Sequence, residues 1–110
     1  MATAEDVQRI ALSLQGTTLD PGWGRMLFRR QRIFAVLPDD GTLLLRLLPE
    51  QRTMLVGGAP ETFAPFKGRG PQGVTVVQLS TIGTARLEEV LRLAWQNGAP
   101  KSDRSNEAAP

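Results

Sequence analysis

The amino-acid sequence predicts an α+β fold, a two-layer sandwich in which helices pack on one face of an antiparallel sheet. Apolar residues recur at helical spacing near both ends of the chain. Between these segments, short apolar runs are separated by tight-turn residues, which is typical of antiparallel strands. With 110 residues, the chain is long enough for a single core. We therefore expect one domain over residues 1–100, followed by a small, polar, disordered tail over residues 101–110.

The first predicted element is a helix over residues 3–16. Thr3 is a suitable N-cap, and Asp6, three residues later, completes a capping box. One face of this helix is apolar and is expected to be buried, namely Val7, Ile10, Ala11 and Leu14. Gly16 ends the helix, because glycine readily adopts the left-handed backbone conformation. Residues 17–24 are rich in turn-forming residues and are expected to form a turn that leads into the first strand.

Three strands of a meander are predicted next, over residues 25–29, 32–37 and 42–48. With Arg30 and Gln31 as a two-residue turn, the alternation of side chains assigns an apolar core side to the first hairpin. That core side consists of Met26, Phe28, Ile33, Ala35 and Leu37. The outer side consists of Arg25, Leu27, Arg29, Arg32, Phe34 and Val36. The hairpin is therefore expected to present cations and apolar side chains together on its outer side.

The second turn is expected to be a three-residue loop over residues 39–41, with Gly41 in the left-handed region. This loop length assigns three leucines to the core side, Leu43, Leu45 and Leu47. Leu44 and Arg46 then point outward, whereas a four-residue loop would bury the charge of Arg46 at a high cost. We therefore expect Arg46 to lie on the outer face.

The next segments are predicted to be a short helix, an edge strand, a loop and a strand. Pro49, at a favoured first position, begins a helix over residues 49–58. Residues 60–66 contain two prolines and are expected to form an edge segment, because proline cannot donate a hydrogen bond within a central strand. A flexible, glycine-rich loop over residues 67–73 precedes a strand over residues 74–80. The core side of that strand is expected to be Thr75, Val77 and Leu79.

The last element is a predicted helix over residues 84–98, with Asn97 and Gly98 at its end. Its apolar residues follow helical spacing and are expected to be buried, namely Leu87, Val90, Leu91, Ala94 and Trp95. With helices before and after the strands, one face of the sheet is expected to be covered and the other left open.

Several sequence blocks, in their order and spacing, resemble the MmcQ/YjbR family of small bacterial proteins. The blocks are AEDVQRIALSLQG, FRRQRIFAVL, DDG, LLPEQR, PETFAPF, VTVVQL and LEEVLRLAW, and the resemblance covers roughly residues 3–101. It implies a frataxin-like (CyaY-like) fold, in which a twisted antiparallel sheet carries the N- and C-terminal helices on one face. The family is often labelled DNA-binding-like, which implies that hairpin loops contact DNA.

The chain departs from this family pattern in three places. Val74 and Val76 stand where members usually carry a tryptophan and a polar or basic residue. Arg32 replaces a usual lysine and keeps its charge, and PGWGRM replaces a segment in which histidine is common. The two valines make the outer face of the sheet more apolar, which favours a protein partner over nucleic acid.

The composition argues against catalysis and against metal binding. Histidine and cysteine are absent, which excludes cysteine nucleophiles, disulfides and thiolate metal sites. General acid–base chemistry near neutral pH favours histidine or a carboxylate with a shifted pKa. The acids here suit local structure instead: Asp39 and Asp40 suit a turn, and Glu5 and Asp6 suit a helix start. We therefore predict that the protein is not an enzyme and holds no metal or cofactor.

No segment of the sequence is predicted to enter a membrane. The longest apolar run, LLLRLL, contains an arginine and is too short to span a bilayer. The first ten residues contain acids where a signal peptide needs cations and an apolar block. We therefore expect a cytoplasmic protein with no membrane partner.

Cations dominate the predicted outer face and its loop tips. The candidate nucleic-acid or anion contacts are Arg25, Arg29, Arg30, Arg32, Arg46, Lys67 and Arg69. Two basic tips beside a sheet are suited to the phosphates of DNA. Trp23 and Phe34 are candidates for stacking on bases.

Two other interpretations of the same face stay open. Outward arginines also keep a partly apolar sheet in solution and protect its edges. A contiguous apolar patch is instead typical of a protein partner or a homodimer interface. For that interpretation, the candidate contacts are Trp23, Phe34, Val74 and Val76.

Overall fold

The computed structural model describes residues 2–22, 24–68 and 73–98, which form a sheet and a layer of helices. The helices are α1 (Ala4–Ser13), α2 (Pro49–Gly58) and α3 (Thr84–Asn97). The strands are β1 (Thr18–Gly22), β2 (Arg25–Arg29), β3 (Ile33–Pro38), β4 (Thr42–Arg46), β5 (Phe63–Pro65) and β6 (Val74–Gln78). They pair in antiparallel fashion in the order β1-β2-β3-β4-β6-β5. The predicted α+β sandwich is confirmed.

One core joins the described helices to a single face of the sheet. Phe28 and Leu45 contribute to it from the strands, and Val7 and Leu91 contribute from the two terminal helices. Leu55 of α2 is partly buried against the same core. The side chains on the other face of the sheet therefore point away from all of the helices that the structure describes. None of these helices is both long enough and apolar enough to span a bilayer.

The capping box predicted for the first helix is present. The Asp6 backbone N–H donates to Thr3 Oγ1 at 3.2 Å, and the Thr3 backbone N–H donates to Asp6 Oδ2 at 3.0 Å. The bond from the Thr3 backbone, followed by the bond from the Arg9 side chain, lowers the pKa of Asp6. The carboxylate is therefore ionised at neutral pH and satisfies a backbone donor at the start of α1.

The turn between β3 and β4 also has the predicted form. Gly41 adopts a φ of 82°, and Val36 pairs with Leu44 across the turn. Leu43, Leu45 and Leu47 are buried, as this register requires. Arg46 is half-buried and shares the outer side of β4 with Leu44. The prediction that Arg46 faces outward is confirmed.

Residues 18–22 differ from the prediction, because they form an edge strand and not a turn. In β1, Leu19 pairs with Phe28 and Pro21 pairs with Met26. Leu19 is partly buried against the core, which gives this segment an apolar anchor. Pro21 is tolerated because an edge strand forms hydrogen bonds on one side only. The sheet thus extends one strand beyond the predicted meander.

The hairpin between β2 and β3 differs from the prediction as well. Phe28 pairs with Ala35, whereas Arg29 pairs with Ile33, so β3 contains one extra residue, Phe34, at a β-bulge. The connection between the strands has three residues, 30–32, and not the predicted two. The bulge interrupts the strict alternation of side chains, and Ile33 lies on the outer side opposite Arg29.

Phe34 is buried in the core, so its predicted position on the outer face is wrong. Its side chain has no exposed surface, and it lies beside Gly98 at the end of α3. Burying a phenyl ring stabilises the folded state by about 2 kcal/mol. This gain in free energy outweighs the cost of the irregular pairing at the bulge. It explains why the apolar pattern alone assigned Phe34 to the wrong side of the sheet.

Candidate functional site on the open face of the sheet

We call the side of the sheet that faces away from the helices the open face. Strand pairing assigns its apolar members, which are Leu27, Ile33, Val36, Leu44, Val74 and Val76. Its charged members among the described residues are Asp20, Arg25, Arg29 and Arg46. All six apolar side chains are half-buried, so they shield one another but stay accessible from outside.

A cavity of about 280 Å3 lies on the open face. Three buried residues, Phe34, Ala35 and Leu45, contribute to its lining, and the other lining residues are Arg25, Ile33, Val36, Leu44, Arg46, Phe66 and Val74. Leu44 pairs with Val36 on one side and with Val76 on the other, so an apolar row crosses the sheet here. None of the described residues that line the cavity is acidic. The cavity therefore combines an apolar floor with two positive charges.

Phe66 contributes to this cavity, although the sequence did not single it out. Its backbone N–H donates to the Val74 carbonyl at 3.0 Å, which continues the pairing beyond the end of β5. Its ring lies against Gly68, where an added Cβ would meet the ring atoms. The signal was present in the sequence, because alternation from the buried Phe63 places Phe66 on the opposite side of the sheet.

Arg29 lies on the open face as predicted, but it has an acidic partner. Its Nε donates to Asp20 Oδ2 at 3.1 Å, and about half of each side chain is exposed. The pair adds little stability at such an exposed position. It does neutralise the charge of Arg29 locally, and it went unpredicted because Asp20 was assigned to a turn and not to a strand beside β2.

Arg30 does not lie beside the other cations, which corrects the prediction for the hairpin tip. Its guanidinium group lies 3.9 Å from the centre of the Trp95 ring, and Nη1 donates to the Trp95 carbonyl at 3.4 Å. The Trp95 indole N–H in turn donates to the Gln15 carbonyl at 2.8 Å. Arg30 therefore fastens the β2–β3 connection to the helix layer.

Of the predicted contacts with exposed or half-buried side chains, Arg25, Arg46 and Val74 line the cavity. Arg46 pairs with Val74, and Val76 lies on the same side of the neighbouring strand. Alternation from the predicted strands was sufficient to place these four residues on one face.

The remaining predicted contacts lie elsewhere. Arg32 belongs to the β2–β3 connection, where its backbone N–H donates to the Gly98 carbonyl at 3.3 Å. Lys67 is exposed and follows Phe66 in the chain. Trp23, Arg69 and the predicted tail over residues 101–110 fall outside the described residues.

Local hydrogen bonds lower the pKa values of two carboxylates, Asp40 and Asp6. Asp40 Oδ1 accepts from the Thr42 hydroxyl at 2.5 Å and from the Thr42 backbone N–H at 3.1 Å, and these bonds lower its pKa. Asp6, in the cap of α1, is shifted in the same direction. A lowered pKa keeps a carboxylate ionised and makes it a weaker base near neutral pH. Within residues 2–22, 24–68 and 73–98, no three histidine, cysteine or acidic residues are grouped to hold a metal ion.

Comparison with known proteins places this fold and sequence in a family. The crystal structure of a Deinococcus radiodurans protein with a DUF419 domain matches with a TM-score of 0.78 at 21% sequence identity, over 100% of this chain and 91% of that chain. This likeness concerns the fold. No curated protein matches the chain. The model of the YjbR family matches residues 12–97. The chain therefore belongs to the YjbR family.

Proposed function

We propose that the protein is a non-catalytic binding module, and that its open face binds an acidic segment of a protein partner. One observation carries this proposal: the exposed Arg25 lines an apolar cavity whose described lining contains no acid. A large side chain and a carboxylate from the same partner would both be satisfied there.

The lack of a catalytic role is supported by the chemistry of the side chains. The chain contains no histidine or cysteine. Asp6 and Asp40 are held by a helix cap and a turn, where hydrogen bonds lower their pKa values. A general base near neutral pH needs a pKa close to the working pH, and these shifts run in the opposite direction.

A protein segment fits the open face better than duplex DNA does. DNA binding through the cations of the first hairpin would use Arg29 and Arg30, but Arg29 is paired with Asp20 and Arg30 is stacked on Trp95. Phosphate contacts supply most of the affinity in nonspecific DNA binding. The apolar side chains that occupy the middle of the face would contribute little to such binding.

A second copy of the same chain is a poorer match than an acidic partner. The described part of the open face carries three arginines and one aspartate, so two copies placed face to face would bring like charges together. Like charges opposed across an interface cost several kcal/mol. Charge complementarity therefore favours a different chain that carries acidic residues.

The proposal is tested by selecting peptides from a random display library against the folded protein and two variants. Leu44→Glu places a negative charge in the cavity, whereas Leu12→Glu changes a side chain of α1 that is 45% exposed. We expect the selected peptides to be rich in acids and to bind Leu44→Glu at least about tenfold more weakly, since charge pairs at an interface contribute about 1.5 kcal/mol or more. Leu12→Glu should bind like the wild type.

Circular dichroism must first show that both variants are folded. Two results would contradict the proposal. One is a set of selected peptides that binds both variants equally. The other is tight binding of duplex DNA that weakens steeply with salt and is insensitive to Leu44→Glu, because that result would assign the function to phosphate contacts outside the cavity.

A further inference from the structure

We infer that the cavity on the open face binds a free, unbranched alkyl carboxylate of medium chain length, with the carboxylate at Arg25 and the chain along the apolar lining. This goes beyond the proposed function and does not rest on it, because the ligand is a small molecule and not a protein segment. The shape of the cavity, its lining and the position of Arg25 lead to this assignment.

The residues that line the cavity lie on a diagonal across the sheet. Arg25 begins β2 and Val74 begins β6, and these strands run in opposite directions, so the two residues lie at opposite ends of the sheet. Val36 and Leu44 pair between them, on β3 and β4. Phe66 lies opposite Val74, where its backbone N–H donates to the Val74 carbonyl at 3.0 Å. The cavity is therefore elongated.

The dimensions of this diagonal suit a chain and not a compact ring system. From β2 to the segment that continues β5, the lining crosses the four strand spacings between neighbours, which amount to about 19 Å. Along the strands, the level of Arg25 and the level of Val74 differ by about four residues, or about 13 Å. A cavity of about 280 Å3 that is lined over such a distance is narrow. Its volume lies at the lower end of the range for small-molecule sites, which is about 300–1,000 Å3.

The lining selects hydrocarbon over a polar chain. Ile33, Val36 and Leu44 form an apolar floor, and the Phe66 ring, packed against Gly68, adds an aromatic surface at the far end. The backbone groups of the strands are engaged with neighbouring strands in the plane of the sheet. A polar group inserted here would lose its hydrogen bonds to water without replacement, whereas an alkyl chain has none to lose.

Arg25 supplies the positive charge at one end of the diagonal. It is exposed, and none of the ion pairs among the described residues involves it. A guanidinium group can bind a carboxylate through two parallel hydrogen bonds. Arg46 also lines the cavity, but it already interacts within the protein, so we assign it no contact with the ligand. A single free cation beside an apolar groove matches a ligand with one charged end.

The test is an NMR titration of the isotope-labelled full chain with hexanoate, decanoate, decan-1-ol and 1-adamantanecarboxylate, each below its micelle threshold. Each fully buried methylene strengthens binding by about fourfold. Because the cavity is half-open, we expect decanoate to bind at least about tenfold more tightly than hexanoate. The compact adamantane acid should also bind at least about tenfold more weakly than decanoate, since most of its carbons would stay outside a narrow groove. Decanol, which lacks the charge, should bind about two- to fivefold more weakly, as is typical of an exposed ion pair.

Three variants and one control locate the ligand and its direction. Arg25→Ala should remove the preference for decanoate over decanol, while Arg52→Ala on α2 should leave it unchanged. Val74→Trp fills the end of the cavity away from Arg25, so it should remove the advantage of decanoate over hexanoate. Leu44→Glu places a charge against the middle of the chain and should weaken decanoate at least about tenfold.

The results distinguish this assignment from the proposed function. If decanoate fails to bind while selected acidic peptides bind in a manner sensitive to Leu44→Glu, the alkyl carboxylate is ruled out and the proposed function stands. If decanoate binds as expected and no acidic peptide does, the proposed function alone is contradicted. Equal binding of decanoate and the adamantane acid would overturn the assignment to the cavity. Binding of phosphatidylglycerol vesicles without binding of the free acid would overturn it as well, because the ligand would then be a lipid bilayer.

Discussion

At the scale of single residues, Arg30 shows that a cation in an arginine-rich segment can serve the fold. Its guanidinium group lies on the Trp95 ring, and Trp95 donates a hydrogen bond to Gln15. These contacts connect the β2–β3 connection, α3 and the segment after α1. The sequence RMLFRRQRIF gives no sign of this role, because the ring that receives Arg30 lies more than sixty residues later in the chain.

We predict that Arg30→Ala destabilises the protein by about 1 kcal/mol, which is typical of a partly desolvated cation–π contact. The measurement is urea denaturation followed by circular dichroism. Arg25→Ala is the matched control, since Arg25 is exposed on the open face and should cost much less. Equal losses for the two variants would contradict the assignment of Arg30 to the fold.

At the same scale, the sequence predicted some site residues and missed others for identifiable reasons. Arg46, Val74 and Val76 follow from alternation within regular strands, and the structure places them on the open face. Phe34 was misplaced because a bulge adds one residue to β3, and strict alternation has no means of representing that residue. Phe66 was missed because no sides were assigned to the predicted edge segment over residues 60–66, which contains it.

At the scale of elements, β3 is where local pattern and tertiary packing disagree. Ile33 and Phe34 are both apolar, so the sequence alone supports either of them as the core residue. The core accepts Phe34, which lies beside Gly98 at the end of α3. That helix end also accepts backbone N–H groups of residues 31 and 32 at the Gly98 carbonyl. Contacts from a distant helix therefore set the register of the hairpin.

The bulged register and strict alternation predict opposite orders for the stability losses caused by alanine at residues 33 and 34. Phe34→Ala should lower the free energy of unfolding by about 3–5 kcal/mol, because it removes a fully buried ring and leaves a cavity. Ile33→Ala, at a half-buried position of the open face, should cost about 1 kcal/mol, in proportion to the smaller apolar area that it buries. Equilibrium denaturation compares them, and a larger loss for Ile33→Ala would contradict the bulged register.

The sequence analysis missed β1 because tertiary contacts override the local turn preference of its residues. Residues 18–22 contain Asp20, Pro21 and Gly22, which individually favour turns. The segment forms a strand because β2 offers a partner and Leu19 packs against the core. Its formation has a consequence for the open face, since it brings Asp20 beside Arg29.

At the scale of the whole molecule, the fold was predictable in outline because its layers follow from periodicity. Helical spacing at the two ends and alternation between them are sufficient to predict one covered face and one open face. The cavity was not predictable, since it depends on the bulge, on the strand order and on the ring of Phe66 against Gly68. The same strand order brings Arg25 of β2 and Arg46 of β4 to one cavity on the open face.

The most direct test of this account is thiol labelling of the full chain, which has no cysteine of its own. Val76→Cys places a thiol on the open face, and Leu12→Cys places one on α1. Both should react with a maleimide in the native protein, and a saturating acidic peptide selected from the display library should slow the labelling of Val76→Cys alone. Slower labelling of Leu12→Cys, with Val76→Cys unaffected by the bound peptide, would contradict the claim that the open face is the binding surface.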